Sequence, residues 1–299
     1  MPGPTEQLQR VLDARFPRRR AYLALTRFDK PIGTYLLLWP TLMALWIAAE
    51  GWPGWHLFLV FVLGTLLTRS AGCVLNDLTD RQFDGSVKRT DQRPLVTGQV
   101  GVGEAWLLAA VLLFLALLLV LTTNLLTLAL SVGAVIVTAA YPYMKRYTYL
   151  PQAVLGVAFS WGILMAFSAV TNHIAQVAWL LLIANLLWVV AYDTEYAMVD
   201  RDDDIKLGLK STAILFADLD RPMVGILQIS CLATLMMAGR ILEMSHWYYL
   251  GLCGATGLFL YQHYLIRHRE RADCFDAFLN NHWVGLSLFL GVAVHYLLH

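Results

Sequence analysis

The sequence predicts an all-helical (all-α) integral membrane protein with nine transmembrane helices and a cytoplasmic N-terminus. Of its 299 residues, 58% are apolar and only 14% are charged, and the mean hydropathy is +0.58. A soluble domain has about 25% charged residues and about 45–50% apolar residues. The chain therefore has too little polar surface to cover a water-soluble globule. This excludes a cytosolic enzyme, a disordered chain and a secreted disulfide scaffold.

Nine apolar runs are long enough to form membrane-spanning helices. A hydrocarbon core of about 30 Å needs roughly 20 mostly apolar residues per helix. The nine runs are residues 31–49, 56–76, 103–122, 125–142, 150–170, 176–197, 222–242, 246–266 and 282–299.

Lysine and arginine residues indicate the orientation, because basic residues concentrate on the cytoplasmic side of a membrane. A cytoplasmic N-terminus places 20 of the 22 basic residues inside, whereas the four outer connections contain none. The two exceptions are Arg69, within the second run, and Arg240, near the outer end of the seventh. The two longest connections, 77–102 and 198–221, then face the cytoplasm. A site built on loops is expected to open there.

Two acidic stretches follow the second and sixth runs. If the second helix continues, Asp77, Asp80 and Asp84 lie at positions i, i+3 and i+7 and share one face. Asp200 and Asp204 follow the sixth run on one stripe with Asp193, which lies inside that run. Three consecutive residues, 202–204, cannot all face the same side, and Glu195 is expected to point away from the stripe.

The two stretches occupy equivalent places in the chain. Asp80 and Asp84 form an i,i+4 pair, and Asp200 and Asp204 form another, 120 residues later. Each pair lies where an even-numbered span reaches the cytoplasm. This pattern predicts one domain, 1–299, made of pseudo-repeat halves at about 26–149 and 150–266 with an extra helix at 282–299.

These carboxylates predict a bound cation. Like charges at i,i+4 destabilise a helix, and carboxylates at a membrane boundary are costly unless they are paired. Mg²⁺ binds through one or two carboxylates and completes its shell with water and substrate phosphates. Two aspartate pairs across a cavity are therefore expected to hold Mg²⁺ and a diphosphate. A single acidic loop is often only a solvated surface, but two at equivalent positions argue against that interpretation.

With these residues in view, the chain resembles the UbiA-type membrane-bound aromatic prenyltransferases. Residues 76–84 (NDLTDRQFD) are similar to that family's NDxxDxxxD motif, and residues 192–204 are similar to its second aspartate-rich motif. The other segments that carry the resemblance are DKPIG (29–33), KRT (88–90), RPL (93–95), YP (141–142), KRY (145–147) and GLKSTA (208–213).

The resemblance implies nine transmembrane helices around a central cavity, Mg²⁺ dependence and a lateral opening to lipid. It implies transfer of a polyprenyl group from polyprenyl diphosphate to the 3-position of 4-hydroxybenzoate, with release of diphosphate, in ubiquinone biosynthesis. The expected partners are these two substrates and the lipid bilayer, with no nucleic acid and no obligate protein partner. The expected location is a bacterial-type inner membrane, with the active site facing the cytoplasm.

The chemistry of the charged residues assigns roles to them. Lys88, Arg89 and Lys206 are expected to contact phosphate groups. The residues expected to bind Mg²⁺ and diphosphate, directly or through water, are Asn76, Asp80, Asp84, Asp200 and Asp204.

Three further residues are candidates for the acceptor side of the reaction. Asp193, in apolar surroundings, is expected to orient the phenol or to accept the ring proton. Arg69 and Arg146 are alternatives for binding the benzoate carboxylate. Arg69 lies seven residues before Asn76, hence on the acidic face, and an arginine inside a membrane span is usually functional.

Two other functions remain open. One is transfer to a different aromatic acceptor, such as a naphthoate, haem or chlorophyllide, although residues 192–204 and 145–152 favour hydroxybenzoate. The other is a secondary transporter. Transporters bind their ions near the bilayer centre, whereas these aspartates cluster at the expected cytoplasmic edge.

Overall fold

The computed structural model describes residues 15–85 and 90–299, and within these ranges every regular element is a helix. The predicted all-helical class is confirmed. Short 3-10 turns lie at Ala217–Leu219 and Ile266–His268. The helices are α1 (Arg19–Leu25), α2 (Ile32–Ala48), α3 (Gly54–Asp84), α4 (Val102–Val120), α5 (Leu125–Tyr147), α6 (Pro151–Thr171), α7 (Gln176–Leu207), α8 (Thr212–Phe216), α9 (Asp220–Ile241), α10 (His246–Leu265) and α11 (Arg271–Leu298).

Seven helical segments of the described chain are long and apolar enough to cross a membrane. They are α3, α4, α5, α6, α7, the α8–α9 segment and α11. The chain is therefore an integral membrane protein. Helices α2, with 17 residues, and α10 coincide with the first and eighth predicted spans but are not among the seven. Nine spans and a cytoplasmic N-terminus stay predictions.

Four helices extend well beyond the apolar runs that predicted them. Helix α3 ends at residue 84 rather than 76, α5 ends at 147 rather than 142, α7 ends at 207 rather than 197, and α11 begins at 271 rather than 282. Hydropathy marks only the apolar part of a helix, whereas the backbone hydrogen bonds continue through polar turns that find partners. The longer helices confirm that both acidic stretches lie on continuous helix.

The chain divides into two compact units. The first consists of Met1–Pro31 and Leu66–Ala116. Its core contains Ala21 and Leu25 from α1, Val74 and Leu78 from α3, and Ala105 from α4. These contacts hold α1 and the start of α4 against the part of α3 that carries the first acidic stretch.

The second unit consists of Ile32–Thr65 and Leu117–His299. Within it, α7 packs against α6, α9 and α11. In the most apolar window of α7, 61% of the residues are buried, compared with 11% for α5. A helix that is apolar on all sides belongs in the interior of a bundle, so the second acidic stretch extends from an interior helix.

Helices α10 and α11 approach closely where two glycines meet. A Cβ atom at Gly251 would lie 2.7 Å from the carbonyl oxygen of Ser287 and 3.1 Å from Cα of Gly291. The Ser287 hydroxyl donates to the Gly251 carbonyl at 3.0 Å. Small residues allow helix backbones to approach in this way, and packing then supplies the contact energy.

We expect the variant Gly251→Val to destabilise the protein by about 1–3 kcal/mol, the usual cost of overpacking a tight contact. The measurement is the thermal unfolding midpoint of the protein purified in detergent. Gly257→Val is the matched control, because it lies on the same helix and a Cβ there meets no atom within 4 Å. Equal midpoints for the two variants would contradict this interpretation of the α10–α11 contact.

Candidate functional site

The first acidic stretch lies at the C-terminal end of α3. Asp77, Asp80 and Asp84 are all buried, with 1%, 3% and 6% of their surface exposed. The helix is unbroken through Asp84, so the three side chains share the predicted face. Carboxylates this deeply buried are costly unless cations or hydrogen-bond donors compensate them.

Two arginines supply that compensation for Asp77. Nη2 of Arg27 donates to both carboxylate oxygens of Asp77, at 2.9 Å each. Nη1 of Arg93 lies 3.0 Å from Oδ1 of Asp77 and 2.6 Å from Oδ2 of Asp84. Arg93 therefore joins the first and last carboxylates of the stretch, and Asp77 is bound by two guanidinium groups.

The segment that follows α3 is hydrogen-bonded to the end of that helix. The hydroxyl of Thr90, itself buried, donates to the carbonyl oxygen of Asp84 at 2.7 Å. Arg93 lies three residues further along the same segment. Burial raises the pKa of the Asp84 carboxyl, while the nearby Arg93 guanidinium acts in the opposite direction.

The second acidic stretch lies on α7. Asp193, Asp200 and Asp204 are half-buried and lie on one continuous helix, as the predicted stripe requires. The helix ends at Gly208, whose positive φ of 67° suits a glycine at a helix C-terminus. The three carboxylates are therefore positioned by a rigid element rather than by a loop.

The adjacent acids have other partners. Arg271, the first residue of α11, lies 3.4 Å from Asp202 and 3.1 Å from Asp203. Lys206 is exposed, and its Nζ lies 4.0 Å from Asp203. Of the three consecutive aspartates, Asp202 and Asp203 therefore contact the start of α11.

Glu195 is fully buried in a network of neutral donors. Nε2 of Gln228 lies 3.4 Å from one carboxyl oxygen, and Nδ2 of Asn281 lies 3.0 Å from the other. The Trp188 indole donates to Oδ1 of Asn281 at 2.8 Å. The network links α7, α9 and α11. Its contacts therefore lie on other helices, as expected for a residue that points away from the aspartate stripe.

The remaining predicted residues are distributed as follows. Arg69 and Asn76 are half-buried on α3, and Arg146 is half-buried in the last turn of α5, where its guanidinium lies 5.6 Å from the centre of the Tyr143 ring. Lys88 and Arg89 lie outside the described residues.

The structure groups the predicted residues by unit. Arg69, Asn76, Asp80 and Asp84 belong to the first unit, and the predicted residues from Arg146 onwards belong to the second. That the two groups act on one ligand stays a prediction. Within residues 15–85 and 90–299, no group of three or more His, Cys, Asp or Glu residues is arranged to hold a metal ion.

Sequence reasoning did not identify the ion-pair partners. Arg27 lies 50 residues before Asp77 and reaches it from the loop after α1. Asp220, a buried carboxylate at the start of α9, was also missed. The RPL segment at 93–95 was the one available signal for Arg93. No rule of sequence spacing links Arg27 to Asp77, or Asp220 to its arginine partners.

Family and sequence comparisons extend over nearly the whole chain. The UbiA prenyltransferase family matches residues 37–287. A curated 4-hydroxybenzoate octaprenyltransferase from Pseudomonas fluorescens is 55% identical over 291 residues, which is 97% of this chain and 98% of that protein. Another with the same name, from Aeromonas salmonicida, is 56% identical over 94% of this chain and 97% of that protein.

Solved structures share the fold at low sequence identity. The apo structure of a UbiA homolog from Aeropyrum pernix K1 superposes with a TM-score of 0.78 at 21% identity, covering 88% of this chain and 97% of that chain. A UbiA homolog from Archaeoglobus fulgidus bound to GPP and Mg²⁺ has a TM-score of 0.70 at 18% identity, covering 92% of this chain and 99% of that chain.

We expect Asp77→Ala to destabilise the protein by about 3–5 kcal/mol, because it leaves two partly buried guanidinium groups without their shared carboxylate. The measurement is thermal unfolding of the purified protein. Asp29→Ala, which removes an exposed carboxylate near Arg27, is the control. If the two variants unfold at the same temperature, the ion pairs of Asp77 do not stabilise the fold.

Proposed function

The chain belongs to the UbiA prenyltransferase family, and we propose that it transfers a polyprenyl group from polyprenyl diphosphate to the 3-position of 4-hydroxybenzoate, releasing diphosphate. The chain is thus an enzyme, an aromatic prenyltransferase, and the reaction is a step of ubiquinone biosynthesis. The full-length relationship to curated 4-hydroxybenzoate octaprenyltransferases carries the proposal.

Mg²⁺ is the proposed cofactor, and the donor set suits it. The side chains at the end of α3 and on α7 offer carboxylate and amide oxygens, which are the ligands that hard divalent cations prefer. When bound, Mg²⁺ would offset the charge that develops on the diphosphate leaving group. The proposed ligands, direct or through water, are Asn76, Asp80, Asp84, Asp200 and Asp204.

Basic side chains are proposed to contact the phosphate oxygens. Lys206 is exposed at the end of α7, three residues after Asp203, so its ammonium group is accessible from solvent. Lys88 and Arg89 are assigned the same role from the KRT segment. These cations stabilise the diphosphate more strongly as its negative charge grows, which favours the transition state over the bound substrate.

The reaction exchanges one carbon–oxygen bond for one carbon–carbon bond. The allylic C–O bond of the donor breaks, and the ring carbon ortho to the phenol bonds to the prenyl carbon. The ring then loses its proton. Asp193 is proposed to orient the phenol or to accept this proton, because it lies on the same stripe as Asp200 but about 10 Å further along the helix. Apolar neighbours on α7 exclude water from the allylic cation.

An arginine is proposed to bind the carboxylate of 4-hydroxybenzoate. Arg146 ends α5 and matches the KRY segment, whereas Arg69 lies on α3, seven residues before Asn76. A guanidinium fits a carboxylate with two parallel hydrogen bonds. The two arginines are alternatives for this role.

The active site is proposed to face the cytoplasm of a bacterial-type inner membrane. With the N-terminus inside, 20 of the 22 basic residues lie on the cytoplasmic side, as do both acidic stretches. The substrates are proposed to meet there, with the polyprenyl tail in the lipid bilayer.

The test is incubation of membranes that contain the protein with labelled 4-hydroxybenzoate and several polyprenyl diphosphates, octaprenyl diphosphate included. We expect a prenylated product and diphosphate release, both abolished by a chelator and restored by Mg²⁺. Asp80→Asn and Asp204→Asn should each lower the rate by about 100-fold or more, as removal of an electrostatic contact to the transition state does.

Asp202→Asn is the matched control, because Asp202 is exposed and contacts Arg271 instead. Its rate should stay close to that of the unmodified protein. Full activity in Asp80→Asn or Asp204→Asn would remove that residue from the metal site. If the protein prenylates a naphthoate but not 4-hydroxybenzoate, the acceptor is a naphthoate. Substrate flux into liposomes without diphosphate release would indicate a transporter.

Steady-state kinetics distinguish the two arginines. We expect Arg146→Ala to raise the KM for 4-hydroxybenzoate by about 10- to 100-fold, since it removes a charge-assisted hydrogen bond, and to change the KM for the prenyl donor little. Arg240→Ala, at an exposed arginine of α9, is the control. If Arg146→Ala raises both KM values equally, and Arg69→Ala raises only the KM for 4-hydroxybenzoate, the benzoate carboxylate is assigned to Arg69.

A further inference from the structure

Asp220 is a fully buried carboxylate outside both acidic stretches. It is the first residue of α9 and has 0% of its surface exposed. The backbone N–H of Arg221 donates to its Oδ1 at 2.7 Å. A charge buried this completely is kept only where cations and hydrogen bonds replace its hydration.

Two arginines from other elements provide the cations. Nε of Arg269 lies 3.0 Å and 3.1 Å from the two carboxylate oxygens of Asp220, and its Nη2 lies 2.7 Å from Oδ1. Arg269 belongs to the connection between α10 and α11. Nη1 of Arg201, on α7, lies 3.5 Å from Oδ2. Asp220 therefore joins the end of α7, the start of α9 and the α10–α11 connection.

The contact with Arg201 matters because of where Arg201 lies on α7. It precedes Asp204 by three residues, a spacing at which oppositely charged side chains on a helix interact. An arginine released from Asp220 would therefore have Asp204 within reach. A guanidinium on that carboxylate would compete with any divalent cation for the same oxygens.

We propose that Asp220 is a positioning residue of the second acidic stretch, which holds the Arg201 guanidinium on α9 and away from Asp204. This inference rests on the proposed function, because it takes Asp204 to be a cation ligand. Asp220 acts through Arg201 and touches neither substrate nor cation.

The test is direct cation binding by the purified full-length protein, with Mn²⁺ as the probe and free Mn²⁺ measured by electron paramagnetic resonance. Mn²⁺ prefers the same oxygen ligands as Mg²⁺. We expect Asp220→Asn to raise the Kd for Mn²⁺ by about two- to fivefold, the effect of one competing ion pair. The double variant Asp220→Asn/Arg201→Gln should bring the Kd back to that of the unmodified protein.

Asp218→Asn is the matched control. Asp218 lies two residues before Asp220, and its side chain is exposed. The substitution removes the same charge, and the Kd for Mn²⁺ should not change. If Asp220→Asn lowers the unfolding temperature but leaves the Kd unchanged, Asp220 only stabilises the fold and the inference is wrong. A Kd that the double variant fails to restore overturns it as well.

Two further variants keep the outcome decisive. Arg201→Gln leaves the Asp220–Arg269 pair intact, so it can still overturn the inference if Asp220→Asn does not fold. Its Kd should equal or fall below that of the unmodified protein, and a rise would show that Arg201 assists binding. Asp204→Asn tests the underlying assignment. If it leaves Mn²⁺ binding unchanged, the proposed metal role of this stretch fails. If Asp204→Asn weakens Mn²⁺ binding but Asp220→Asn does not, only the present inference is overturned.

Discussion

A carboxylate that is removed from water inside a helical bundle needs a cation or hydrogen-bond donors close to it, and the described residues meet this requirement in different ways. Asp77 is bound by guanidinium groups from before and after its helix. Two guanidinium nitrogens of Arg269 donate hydrogen bonds to Asp220, and Arg201 lies nearby. Glu195 has neutral amide donors instead. Each solution joins elements that are distant in the chain, so the compensation of charge also fixes how the helices are connected.

This requirement divides acids that look alike in the sequence. Asp77 lies in the same motif as Asp80, and the guanidinium groups of Arg27 and Arg93 bind its carboxylate. Asp202 and Asp203 are adjacent to Asp204, yet both contact the first residue of α11. The partners of an aspartate in such a motif therefore depend on the cations that its own unit places beside it, and the spacing of the motif alone does not identify them.

Composition and periodicity predicted the helical class, the places of the long helices and the acidic faces, because these depend on local sequence. The helix ends were wrong for α3, α5, α7 and α11, since hydropathy does not register polar turns whose partners lie elsewhere. Charge partners were out of reach for the same reason. Arg27 and Asp77 are 50 residues apart, and Asp220 and Arg269 are 49 apart, with no repeat or spacing to connect them.

The extra turns of α3 and α7 place acidic residues on rigid backbone beyond the apolar part of each helix. An aspartate has a short side chain, so the position of its oxygens follows the backbone closely. A helix that continues beyond its apolar part fixes successive carboxylates on one face, whereas a loop would have to be ordered each time a ligand binds. Chemistry with a reactive cation needs both the charged groups and the exclusion of water. A helix that is apolar in one part and acidic in the next supplies both, and its rigidity sets the distance between them.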